Sequence, residues 1–127
     1  MTTPQLTPEG QELLDTIRRQ RGGKTMATHE VLAARDPAFL NGYNEIYNAA
    51  QSDAQGLPAY VRELMVMALD IAVGGSPTVA RAHGRKAVSL GATEAQVLGA
   101  VELAILVSAG RAMSYLPVIF DDESARS

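Results

Sequence analysis

The sequence predicts an all-α fold, and three observations carry that expectation. No run alternates apolar and polar residues as a half-exposed strand does. Helix-starting and helix-stopping residues recur about every 10 to 20 positions. Two long segments, Leu64 to Val73 and Ala95 to Gly110, are apolar on nearly every side, each with a single charged residue, Asp70 and Glu102 respectively.

Length and composition narrow the classes. The 127 residues suit one domain spanning 1–127. Apolar residues make up 46% and charged residues 20%, ordinary for a soluble protein, and the formal charge of −3 offers no basic patch for nucleic acid. The absence of cysteine excludes disulfides, thiolate metal sites and thiol catalysis together. The opening MTTPQLTPEG lacks the charged and apolar regions of a signal peptide, and no run approaches the roughly 18 uncharged apolar residues of a spanning helix. A cytoplasmic protein, off the membrane, is the expectation.

The elements follow in order. Thr7-Pro8-Glu9 starts a helix with a capping hydroxyl, a first-turn proline and an acid favoured by the helix dipole. Leu13, Leu14 and Ile17 form its apolar face, and Arg18, Arg19 and Arg21 precede the stop at Gly22-Gly23. Those arginines read as a solvated helix end. Thr28 is the expected cap of a short helix through Val31, Leu32 and Ala34, with His29 on its exposed first turn. Asp36-Pro37 starts the next helix, whose Phe39, Leu40, Tyr43, Ile46 and Tyr47 fall on one stripe expected to be core or subunit interface. Leu57-Pro58 and Ser76-Pro77 open two more, the second ending before Gly91. Thr93-Glu94-Ala95-Gln96 is a capping box for the last long helix. Leu116 to Phe120 reads as a short extended apolar piece covering a groove or a neighbouring subunit, ahead of a charged end from Asp121 to Ser127.

A helix apolar all round must be buried all round, and one domain of this size struggles to enclose two. The expected solution is an obligate homo-oligomer that shares these helices at its interface.

Ionisable residues inside apolar helices mark where chemistry belongs. Seven residues of helix amount to 700°, so Ser76, Val79 and His83 lie nearly on one line, and His83 shares a face with small and apolar neighbours. That environment suits a satisfied core histidine or a general acid–base group. Glu63 has Met67 and Asp70 on its own face and is either a dipole or salt-bridge partner or a member of a site. Asp70 and Glu102 are costly where they stand unless protonated, hydrogen-bonded or paired with Arg81, Arg85 or Arg111. No phosphate-binding glycine loop, HExxH or calcium-loop pattern is present, so no metal or other cofactor is expected.

Three features in order, Arg62-Glu63-Leu64 opening an apolar helix, His83 in the next, and Gly91-Ala92-Thr93-Glu94 leading to the helix with Glu102, resemble the carboxymuconolactone decarboxylase family, which also contains the AhpD-like alkylhydroperoxidases. The resemblance spans about residues 36–120, with 1–35 as an N-terminal helical extension. It implies an AhpD-like helical domain assembled as a trimer or hexamer. The peroxidase branch carries Cys-x-x-Cys where this chain has Ser76 and Val79, which removes the thiolate that chemistry needs. The cysteine-free branch implies a cofactor-free acid–base enzyme acting on a small unsaturated carboxylate, lactone or ester. His83 is then the proton donor and Glu63 its orienting partner or a proton acceptor. Arg81 or Arg85 serves a substrate carboxylate, and Ser76, Val79 and Glu102 complete the substrate-lining set. A non-catalytic relative that binds a small molecule or a partner is the alternative.

Overall fold

The computed structural model describes residues 1–2 and 4–120, so the expected charged end at 121–127 lies outside the described residues. They form seven α-helices and no strand, as the sequence predicts: α1 (Pro8–Gln20), α2 (Ala27–Arg35), α3 (Pro37–Ala50), α4 (Ala59–Ala72), α5 (Pro77–Ser89), α6 (Glu94–Met113) and α7 (Leu116–Ile119), with a 3₁₀ turn at Asp53–Gln55. The helices group into two compact units, Met1–Gln55 and Gly56 onward. The stretch 1–35 therefore packs together with α3 in one unit.

In the first unit, Leu14 and Ile17 of α1, Ala33 of α2 and Leu40 of α3 make the core. Gly10 lets α1 and α2 meet closely, since a Cβ there would lie 2.3 Å from the Ala33 carbonyl oxygen. The caps read at Thr7 and Asp36 form, accepting from the backbone N–H of Gly10 and Phe39.

Three expectations fail here, at Arg21, His29 and Thr28. Arg21 is no solvated helix end: its guanidinium reaches His29 Nε2 at 3.0 Å, donates to Asn44 Oδ1 at 3.0 Å and lies 3.7 Å over the Tyr47 ring. His29 is buried, and its Nδ1 accepts from the Met26 backbone N–H at 3.0 Å. The histidine, three residues past Met26, thereby serves the start of α2, and Thr28 stands inside the helix without capping it. The α3 stripe splits in the same rearrangement. Leu40 and Asn44 face inward, while Phe39, Tyr43 and Ile46 are exposed.

In the second unit, α4 packs against both α5 and α6. Two glycine turns reverse the chain. Gly74 and Gly91 take positive φ, and the amides of Gly75 and Ala92 reach back to the carbonyls of Asp70 and Ala87, closing α4 and α5. Arg111 near the end of α6 donates to the Ala72 carbonyl at 3.3 Å, satisfying an orphan acceptor of the α4 terminus. The Thr93 capping box forms as read, with Gln96 returning the bond. Ser76 stands at the N-cap of α5 but makes no side-chain cap bond.

The apolar helices are far from buried all round. Ala104 is the one fully buried residue of α6, and Leu69 of α4 and Val73 at its C-cap are exposed along with Leu103, Leu106 and Val107 of α6. By length and composition, the 26-residue helical stretch Glu94–Ile119 could cross a membrane, an 18-residue window within it having mean hydropathy 1.5. The sequence reading overlooked it by requiring an uncharged run, whereas this stretch contains Glu102 and Arg111. The segment 116–119 is a single helical turn, not extended, because Pro117 is tolerated in a first turn. Its exposed Val118 and Phe120 cover no groove of their own unit.

The His29 arrangement sets a pH response. Arg21 Nη1 and the Met26 amide can only donate, so a neutral ring has one lone pair for two donors and an imidazolium has none. Burial first, and the Arg21 charge second, hold His29 below its ordinary 6.5. The unfolded chain therefore binds more protons than the native one in that window, so the His29 contribution is complete above 6.5 and is lost as pH falls through the lowered native value. Urea unfolding of the intact protein from pH 7.5 to 5 should show stability falling with acid, with a shallower slope in His29→Gln.

Candidate functional site

Glu63 lies in the second turn of α4 and is 1% exposed. A carboxylate so placed is costly unless both oxygens are engaged, and α5 engages both. His83 Nδ1 lies 2.6 Å from Glu63 Oε2, and Lys86 Nζ lies 2.7 Å from Oε1. His83 and Lys86 are three residues apart and so share a helix face.

The two helices approach closely enough because α5 has a glycine at the crossing. A Cβ on Gly84 would sit 3.0 Å from the sulfur of Met67, one turn beyond Glu63 on α4. Burial grades outward across the group. The Glu63 side chain is 2% exposed, His83 21% and Lys86 52%, so the carboxylate is sealed while its two partners reach toward solvent. An ionised carboxylate can only accept, so the proton of the 2.6 Å contact resides on Nδ1. That fixes the tautomer and leaves Nε2 as the nitrogen free to exchange a proton with a ligand.

Sequence reasoning paired Glu63 with His83 and missed Lys86. A lysine in the last turn of a helix looks like an ordinary dipole partner. Its three-residue offset from His83 was the available signal.

The remaining expected residues do not converge on this pair. Arg81 and Arg85 line a separate cavity of about 550 Å³ between α4, α5 and α6, whose lining includes neither Glu63 nor His83. Helix geometry explains the separation, since two residues of helix turn the chain by about 200°. Val79 is half-buried and Ser76 exposed. Glu102 is exposed on α6, away from any ion pair among the described residues. Asp70 is unpaired there too: its Oδ2 is buried without a hydrogen-bond partner, and its carboxylate presses on Gly75, where a Cβ would lie 2.0 Å from Oδ1. The expected ion pairs to Arg81, Arg85 or Arg111 are therefore not formed among the described residues. Arg111 is drawn elsewhere, its guanidinium turned to the Ala72 carbonyl. No group of three or more His, Asp or Glu side chains among the described residues is arranged to hold a metal ion.

The family model described as the carboxymuconolactone decarboxylase family matches residues 37–118, which takes in α3 through α6 and the Glu63–His83 pair. The chain belongs to the carboxymuconolactone decarboxylase family. No curated protein and no solved structure matches it. Membership in this carboxymuconolactone decarboxylase family supports a function of the decarboxylase or AhpD-like kind, without naming a substrate.

The energetics of the group can be measured without one. Removing both donors, in His83→Ala with Lys86→Met, strands a buried charge and should cost about 3 to 5 kcal/mol. Adding Glu63→Gln to that double variant should recover part of the loss, a non-additivity read by denaturant unfolding of the set.

Proposed function

We propose that the chain is a cofactor-free acid–base enzyme, of the lyase kind, acting on a small unsaturated carboxylate, lactone or ester such as arises when aromatic rings are degraded. The observation that carries this reading is the 2.6 Å contact between His83 Nδ1 and a carboxylate sealed from water, on an imidazole side chain that is itself 21% exposed. The absence of cysteine supports proton transfer over thiol chemistry and favours kinship with the cysteine-free relatives.

In decarboxylation of a conjugated lactone acid, the bond to the carboxylate breaks and carbon dioxide leaves. Its electron pair passes into the conjugated system, and a proton from Nε2 of the His83 imidazolium is added to the resulting carbanion or dienolate. Glu63 stabilises that imidazolium through Nδ1–H. Lys86, half-exposed and three residues away, supplies positive charge beside the proton donor to meet a substrate carboxylate, the part expected of Arg81 or Arg85 from sequence. Ring opening or isomerisation uses the same Nε2 as base and then as acid.

The exposed apolar surface of α4 and α6 supports self-association as a homo-oligomer. It favours a protein partner over a bilayer because Glu102 stands in the middle of the exposed stretch, and a carboxylate at a bilayer centre costs about 2.5 to 3.5 kcal/mol.

A panel of small unsaturated lactones, esters and carboxylic acids, followed by ultraviolet absorbance, tests the reading. On the substrate that turns over, His83→Ala should lower kcat by 100-fold or more, the lower end of a positioned proton donor's contribution. Its sedimentation and circular dichroism should match the parent. Lys86→Met should chiefly raise KM. Turnover unchanged in a folded His83→Ala protein would defeat the assignment in favour of a non-catalytic binding protein that keeps the dyad as a helix clamp.

A further inference from the structure

The cavity between α4, α5 and α6 has no part in the chemistry above. Its walls come from Met67 and Ile71 of α4 and from Val97 and Val101 of α6, with Ala80 and Gly84 on α5 leaving the space open. About 550 Å³ lies within the range of small-molecule sites, which bury an apolar body and orient it with a few polar groups. The polar groups are Arg81 and Arg85, one helical turn apart, and neither has an ion-pair partner among the described residues. Glu94, at the first position of α6, is the one acid in the lining.

We infer that this cavity is a second ligand site, distinct from Glu63 and His83, which takes an amphiphilic monocarboxylate. The apolar body lies against the Met67, Ile71, Val97 and Val101 walls, and the carboxylate meets the Arg81 and Arg85 guanidiniums. A planar fork is the natural partner of a carboxylate, and two forks four residues apart favour an anion over a neutral head. Glu94 disfavours a ligand with a second negative charge, so a monoacid fits better than a diacid. The site borders Met67 and Gly84, which hold the α4–α5 crossing above the dyad, so occupancy bears on the spacing of Glu63 and His83 without the ligand touching them.

Decanoate, decanol and decanedioate are the probes, titrated into the full-length protein by calorimetry below their micellar concentrations. Decanoate should bind at one site per chain, about tenfold or more tighter than the other two. The Arg81→Gln, Arg85→Gln double variant should bring decanoate down to the decanol level. Val97→Phe, which fills the cavity, should weaken decanoate and decanol alike. Both arginines are exposed, so the double variant keeps the fold, and its melting curve verifies this.

Equal affinity for decanoate and decanol in the parent would overturn the inference, as would parental decanoate affinity in the double variant. No binding by the parent would overturn it too, and would assign the groove to a second copy of the chain, whose seat there crosslinking from Val88→Cys would show. None of these outcomes touches the proton-transfer reading, which rests on the other face of α5.

Discussion

One buried carboxylate organises the second unit. Glu63 on α4 lies out of water, and its charge is tolerable because α5 presents two donors to its two oxygens. Everything else needed for that meeting follows from geometry. The turn at Gly74-Gly75 returns the chain along α4, and Gly84 removes the side chain that would hold α5 away from Met67. His83 and Lys86 then arrive on one face at neighbouring turns. The same constraint that pins the helices fixes the imidazole tautomer, so helix packing and proton chemistry depend on one interaction.

That interaction also sorts the remaining charges. The α5 face holding His83 and Lys86 is committed to Glu63, and the face holding Arg81 and Arg85 is left to line an apolar cavity. Asp70 follows a different rule. It lies against the glycine turn with a buried oxygen unpartnered, a position that ties Gly75 to the lack of a side chain. The apolar surface of α4 and α6 stays open in the single chain.

Much of the fold was legible because helix ends are local. Thr7, Asp36 and Thr93 cap as read, and Gly22, Gly74 and Gly91 stop helices with the positive φ that glycine tolerates. Failures came where a side chain's partner is distant in sequence. Nothing near Arg21 announces Asn44, 23 residues away, and nothing near His29 says that its ring will serve Met26 in a buried setting. Apolar periodicity placed Phe39, Tyr43 and Ile46 on a stripe correctly but could not say whether anything covers it. For the site, the Glu63–His83 pair was within reach through the family resemblance, whose acid and histidine fall on these two positions. Lys86 was not, because a lysine near a helix end is satisfied by water as readily as by a buried acid. The two arginines were placed with the histidine on chemistry alone, and helix rotation separates them.

The central claim is that Glu63 holds the His83 proton on Nδ1 and leaves Nε2 free. Long-range nitrogen–proton correlation spectra of the ¹⁵N-labelled protein, followed to alkaline pH, read that tautomer directly. The account predicts an Nδ1–H tautomer for His83 with a strongly deshielded proton that is lost in Glu63→Gln. An Nε2–H tautomer, or a spectrum indifferent to Glu63→Gln, would contradict it.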